Sequence, residues 1–182
     1  ADEETALRRM IEDGLRDDVL VLSGGVSMGT RDLVGKVLRA LGVEIAFEKV
    51  AIKPGKPFTF GRGGGTLVFG CPGNPVSAYV IFQVFVRAAL RRMTGSPAPA
   101  PAPCRGVLAS PVSQRPGRAG YYQARARWSG STYEVRVLPT SGSADFLSCA
   151  RGNALAIVPS DVASLAAGES VELLLLDDHN DR

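Results

Sequence analysis

The run Ser96-Pro97-Ala98-Pro99-Ala100-Pro101-Ala102-Pro103 sets the first limit on what this chain of 182 residues can fold into. Proline at every second position fixes φ and removes a backbone donor, so neither a helix nor an interior strand can pass through it. Alternating Pro-Ala favours an extended, semi-rigid spacer. It lies near the middle and predicts two bodies, residues 1–95 and 104–182, joined by 96–103.

The two sides are patterned differently. Leu7, Met10, Ile11 and Leu15 recur at helical spacing, and Asp18-Val19-Leu20-Val21-Leu22 then brings a short apolar run. Such a run reads as a strand buried on both faces. Beyond the loop Ser23-Gly24-Gly25-Val26-Ser27-Met28-Gly29, the residues Leu33, Val34, Val37, Leu38 and Leu41 mark a helix that Gly42 ends. Strands are predicted at 43–50, 58–60 and 66–70, and a long helix from Val76 to Arg92 behind the turn Pro72-Gly73-Asn74-Pro75. Strand, glycine-rich loop, helix, strand is the grammar of a parallel α/β sheet. Past the spacer the period drops to two. Residues 122–128 and 133–138 flank Ser129 to Thr132 as a hairpin, and 154–159 and 169–176 add two strands. That half predicts a small, mostly antiparallel β module.

Composition excludes several classes. A net charge of +3, without a basic stripe interleaved with aromatics, argues against general nucleic-acid binding. Runs such as Ala78 to Val86 are too short to span a bilayer, and the acidic start Ala1-Asp2-Glu3-Glu4 does not read as a signal peptide. Cys71, Cys104 and Cys149 are odd in number and far apart, which fits a reducing cytoplasm better than a disulfide framework or a zinc site. His179, the only histidine, lies in an acidic tail and supports no Ser-His-Asp arrangement.

Positive charge is more informative in kind than in amount. Of four lysines, Lys49, Lys53 and Lys56 fall within eight residues, around Ile52-Lys53-Pro54-Gly55-Lys56-Pro57; elsewhere, Lys36 apart, arginine is used. Compact ammonium groups on a fixed Pro-Gly turn suit a small polyanion held by point charges. Two further loops should stand at the carboxyl ends of strands, where open α/β sheets bind ligands. One is Ser23-Gly24-Gly25-Val26-Ser27, with two hydroxyls and glycines that let backbone N–H groups approach an anion; the other is Pro72-Gly73-Asn74-Pro75. Asp32, in the first turn of the next helix, reads equally as a charge favourable to the helix dipole or as a carboxylate facing the same pocket.

Three of these segments resemble a known family. Ser23-Gly24-Gly25-Val26-Ser27-Met28-Gly29, Ala51-Ile52-Lys53-Pro54-Gly55-Lys56-Pro57-Phe58 and Gly70-Cys71-Pro72-Gly73-Asn74-Pro75-Val76-Ser77-Ala78 resemble, in order and spacing, the signature segments of molybdopterin molybdenumtransferases, the MoeA proteins and the gephyrin E domain. Ser141-Gly142-Ser143 and Ala150-Arg151-Gly152-Asn153-Ala154-Leu155 resemble that family's C-terminal domain. The resemblance implies an α/β, partial three-layer parallel-sheet molybdopterin-binding (Mog-like) domain, then a small mostly antiparallel β domain. It implies insertion of molybdate into adenylylated molybdopterin with release of AMP, a divalent cation such as Mg2+, a homodimer, and a molybdopterin adenylyltransferase as partner.

Carried over by position, Asp32, Lys49 and Lys53 are the implied catalytic residues, with Asp32 also the implied metal ligand. Ser23, Gly24, Gly25, Ser27, Lys56, Pro72, Gly73, Asn74, Pro75 and Ser143 are the implied cofactor-binding residues. Thr30 stands where the family carries an acid, and Gln123 where it carries an arginine; Arg118 is kept. Family members carry further N-terminal domains that complete the site across a dimer, so the chain is expected to be a fragment or truncated paralogue, inactive alone. Two rivals stay open: a molybdopterin adenylyltransferase of the same fold, which goes with a Gly-Gly-Thr-Gly loop, and a non-catalytic binding or scaffold protein.

Overall fold

The computed structural model describes residues 2–24, 33–100, 102, 104–140, 142 and 145–176. The chain begins α1 (Asp2–Gly14), β1 (Val19–Ser23), α2 (Leu33–Ala40), β2 (Glu44–Lys49), β3 (Ile52–Lys53), β4 (Pro57–Gly63) and β5 (Thr66–Cys71). Next come α3 (Pro75–Ile81), a π-helical turn (Phe82–Val86) and α4 (Arg87–Met93). The second half holds β6 (Cys104–Leu108), β7 (Val112–Ser113), β8 (Ala119–Trp128), β9 (Tyr133–Val137), α5 (Phe146–Arg151), β10 (Ala154–Val158), β11 (Ser164–Leu165) and β12 (Ser170–Leu175). Two compact units result: residues 1–50 with 55–81, and residues 51–54 with 82–182.

The first unit is built on a sheet in the order β1-β5-β4-β2. It is mixed, where the strand-helix grammar predicts a parallel sheet. Only β1 and β5 run parallel; β4 pairs antiparallel with both β5 and β2. The reason is the two-residue connection Gly64-Gly65, which closes β4 directly onto β5 as a hairpin, whereas a parallel neighbour would need a crossover of a dozen or more residues. Ile11 of α1 and Val34, Val37 and Leu38 of α2 pack with Val68, Leu20 and Leu22 on one sheet face. Phe69 projects to the other face, as alternation along a strand requires, and packs there with Phe58, Phe60 and Phe47.

Ile45 and Phe47, two apart on β2, reach opposite faces. Ile45 packs with the helices and Phe47 with Phe58 at 5.6 Å between ring centroids. A bulge explains it: Ile45 pairs with Gly61 and Phe47 with Phe60, so β2 advances two residues while β4 advances one. At the far end Thr66, 2% exposed, closes the turn after α1, its Oγ1 lying 2.8 Å from the Leu15 carbonyl and 2.6 Å from that of Asp17.

The second unit is a small barrel. Its sheet runs β10-β12-β6-β9-β8-β3, and β10 also pairs with β8, so five strands close into a ring that leaves no open edge among them. All pairings in the ring are antiparallel except β6 with β9. The interior is narrow, and small side chains at Ala124, Ala126, Ala154 and Ala156 leave room for Leu108, Val135, Val171 and Leu173. Asn153 acts as a substitute strand residue: its side chain donates to the Ala126 carbonyl at 2.9 Å and accepts from the Ala126 N–H at 2.8 Å. Residues 96–100 carry neither helix nor strand, as their prolines dictate.

Candidate functional site

The pairing register of the first sheet decides which loops meet. Ser23 ends β1 opposite Cys71, Gly70 pairs with Thr59, and Pro57 pairs with Lys49. Ser23, the Pro72–Pro75 turn, Lys56 and Lys49 therefore all stand at one end of the sheet. Three inter-strand gaps of about 4.8 Å put the β1 and β2 ends roughly 14 Å apart. That separation of strand ends is wider than a lone tetrahedral oxyanion. An extended ligand with more than one anionic group can span it.

Two of these loops are in backbone contact. The Gly24 N–H donates to the Cys71 carbonyl at 3.1 Å. A Cβ built on Gly73 would lie 3.2 Å from the Gly24 Cα, so the lack of a side chain at Gly73 lets the loops abut. Gly24 also has φ +88°, which side-chain-bearing residues avoid. Behind them the Cys71 thiol is buried, and burial pushes it from 9.0 up to about 11, so it is a packing group and no nucleophile. Pro72 is buried, Gly73 and Pro75 are exposed, and the Asn74 carbonyl accepts from Ala78 N–H at 2.9 Å as α3 begins.

The lysine turn is divided between the two units. Lys49 and Lys56 belong to the first, where the Val50 N–H donates to the Lys56 carbonyl at 3.1 Å and closes the loop. Lys53 belongs to the second: β3 pairs in parallel with β8, Ile52 opposite Ala119 and Lys53 opposite Gly120. Arg118 adds a long bond of 3.5 Å from Nη1 to the Ile52 carbonyl. Gly55, at φ +121°, gives the Pro-Gly turn a backbone that only glycine adopts readily. All three lysines are exposed, and none has an ion pair or side-chain hydrogen bond among the described residues.

Gly25, Ser27, Asp32 and Ser143 lie outside the described residues, as does Thr30. Among the described residues no group of three or more His, Cys, Asp or Glu side chains is placed to hold a metal ion. Gln123 is described and buried at 5% exposure. The role of β8 in holding Lys53 has no counterpart in the sequence reading, because a two-residue strand such as β3 leaves no periodic signal.

Comparison with known proteins gives this geometry a family. The family described as "Probable molybdopterin binding domain" matches residues 1–92, and "MoeA C-terminal region (domain IV)" matches 105–176. Molybdopterin molybdenumtransferase 1 of Mycobacterium tuberculosis is 34% identical over 188 residues, covering 98% of this chain and 44% of that protein. Gephyrin of Dictyostelium discoideum is 30% identical over 191 residues, covering 92% of this chain and 26% of that protein. Among solved structures, the molybdopterin biosynthesis MoeA protein of Pyrococcus horikoshii matches with a TM-score of 0.75 at 29% identity, over 95% of this chain and 41% of that one. The chain thus spans less than half the length of the curated relatives named here. No helix among the described residues is long and apolar enough to cross a membrane. With a sheet whose loops abut at Gly24 and Gly73 and a closed barrel after it, the chain belongs to the molybdopterin-binding family, with a MoeA-type C-terminal region.

Proposed function

We propose that this chain forms part of a molybdopterin molybdenumtransferase, which inserts molybdate into adenylylated molybdopterin and releases AMP. The observation that carries the proposal is the gathering of Ser23, Gly24, the Pro72–Pro75 turn, Lys49 and Lys56 at one sheet end, spread over about 14 Å. That span suits a ligand holding a pyrophosphate at one place and an oxyanion at another.

The chemistry asked of these residues is positioning and charge stabilisation. Lys49 would hold a phosphate and stabilise the charge that develops as AMP departs. Lys56 would hold the molybdate oxygens, and the Ser23 hydroxyl would donate to one of them; Lys53 keeps the catalytic role that the resemblance implies. Gly25, Ser27 and Ser143 keep the cofactor-binding role that the resemblance implies. A divalent cation would fall to Asp32. Losing one charged contact costs roughly 1.5–3 kcal/mol, about tenfold to a hundredfold in affinity. A homodimer, a molybdopterin adenylyltransferase partner and a cytoplasmic setting belong to the same proposal.

Calorimetric titration of the chain with molybdate and with AMP tests it, wild type beside Lys56→Ala and Lys49→Ala. Binding of both ligands, weakened in the variants, supports the reading; no heat with either ligand points to a non-catalytic scaffold. In an assay on molybdopterin, consumption of ATP in place of AMP release would indicate an adenylyltransferase.

A further inference from the structure

Lys53 is held in place by very little chain. β3 has two residues, and its pairing with β8 sets Ile52 opposite Ala119 and Lys53 opposite Gly120. The Ala119 N–H donates to the Ala51 carbonyl at 3.0 Å. So short a strand carries no hydrophobic pattern to set its own register, and whatever fixes the start of β8 also fixes the Lys53 main chain.

Gln114 lies across that start. A Cβ built on Gly120 would run into Gln114 Oε1 and would stand 2.5 Å from Tyr122 Cε2, so the carboxamide rests directly against the Gly120 main chain. Its Nε2 donates to the carbonyls of Pro159 at 2.7 Å and Val162 at 3.0 Å, and its Oε1 accepts from the Tyr122 hydroxyl at 3.3 Å. The Gln114 N–H donates to the Ala163 carbonyl at 2.8 Å, and the Gly117 N–H to that of Ser160 at 2.7 Å. Gly120 itself pairs with Val158, the residue before Pro159. One side chain therefore joins the turn after β10, the segment behind β7 and the ring of Tyr122, which packs against the barrel core.

We infer that Gln114 is a positioning residue for Lys53, acting through the main chain of Gly120. A carboxamide serving stability alone could sit wherever carbonyls and a hydroxyl need partners. This one is wedged at the one residue of β8 that pairs with Lys53, and only glycine there leaves room for it. Placement matters for a catalytic lysine, since a shift of about 1 Å in a reacting group can cost about a hundredfold in rate. Removing the carboxamide would strand the Pro159 and Val162 carbonyls and free the start of β8 to move, with β3 attached to it. The inference rests on the reading that Lys53 serves the reaction proposed above.

The test uses NMR on the whole chain, whose four lysines can be told apart after reductive 13C-methylation. Gln114→Met keeps the bulk and removes the hydrogen bonds. It should move the Lys53 signal and leave those of Lys36, Lys49 and Lys56 in place. Hydrogen exchange of the Ala119 amide should quicken about tenfold or more. The Leu138 amide, bonded to the Gln123 carbonyl at 2.8 Å, should not follow. Tyr122→Phe, which loses one hydroxyl, should move the same two probes less. Asn153→Ala removes two hydrogen bonds elsewhere in the barrel and should leave Lys53 unmoved. A Lys53 signal unmoved in both Gln114→Met and Tyr122→Phe, equal acceleration at Ala119 and Leu138, or the same Lys53 shift in Asn153→Ala would each overturn the assignment. A chain that bound neither molybdate nor AMP would instead overturn the proposed function, and the Lys53 and Ala119 probes would still report on Gln114.

Discussion

Gly73→Ala probes the contact on which the sheet-end site depends. The added Cβ would sit 3.2 Å from the Gly24 Cα, a few tenths of an ångström inside ordinary carbon-carbon contact at about 3.5–4.0 Å. Gly73 is not in the left-handed region, so alanine fits its own backbone and the cost lies in the contact. The neighbouring atom is main chain and has no rotamer by which to yield. The loop carrying Gly24 must retreat, stretching a Gly24–Cys71 hydrogen bond that starts at 3.1 Å. Overpacking of this kind costs about 1–3 kcal/mol and a weakened hydrogen bond about 1 kcal/mol. Reduced freedom of the unfolded chain offsets roughly 0.4–1 kcal/mol. A net loss of about 1–3 kcal/mol is expected in urea denaturation, with a weaker affinity for molybdate or AMP as the Ser23–Gly24 amides shift. Gly65→Ala is the control, because its Cβ would meet nothing within 4 Å. If Gly73→Ala matches that control in both stability and affinity, the two loops do not constrain each other and the argument fails.

Other outcomes follow from the same structure. Thr66→Val keeps shape but removes the hydroxyl serving the Leu15 and Asp17 carbonyls, and should cost about 1–3 kcal/mol in denaturant unfolding. Asn153→Ala should cost a similar amount by stripping two hydrogen bonds from Ala126, read as a lower melting temperature. Burial holds the Cys71 thiol proton up to about 11, against 9.0 for an ordinary solvated thiol. The folded state therefore binds that proton more tightly than the unfolded chain: stability is unaffected below pH 9 and falls between about 9 and 11. Cys71→Ala should show a shallower alkaline slope, since Cys104, Cys149, Tyr121 and Tyr122 are also raised by burial, and alkylation of Cys71 in the native protein at about pH 8 should be slow.

How much was legible in the sequence differs from element to element. The runs at 19–22 and 66–70 read correctly as strands, and the spacing of Val34, Val37 and Leu38 as a helix, because periodicity and turn chemistry are local; β1, however, is an edge strand with Val21 46% exposed, not one buried on both faces. The hairpin around Ser129 to Thr132 read correctly for the same reason. The strands β3, β7 and β11 have two residues each, and α5 has six; none is long enough to show a period. Serine, lysine and proline-glycine loops could be recognised as anion-handling by residue type. That Lys49 and Lys56 share the end of a sheet with Ser23 could not, since it depends on the order and direction of four strands.

By itself the sequence determined where the longer helices and strands and their turns form, where the proline spacer interrupts them, and which side chains could meet an oxyanion. Tertiary structure decided the rest. A glycine hairpin turned β4 against β5 and made the sheet mixed, and a bulge sent Phe47 to the face opposite Ile45. Closure of the barrel gave Lys53 a strand partner and buried Gln123 on an outward position. The physical reason is that the propensities of turns and periods act over a few residues, whereas hydrogen-bond register and burial are set by partners far away in the chain.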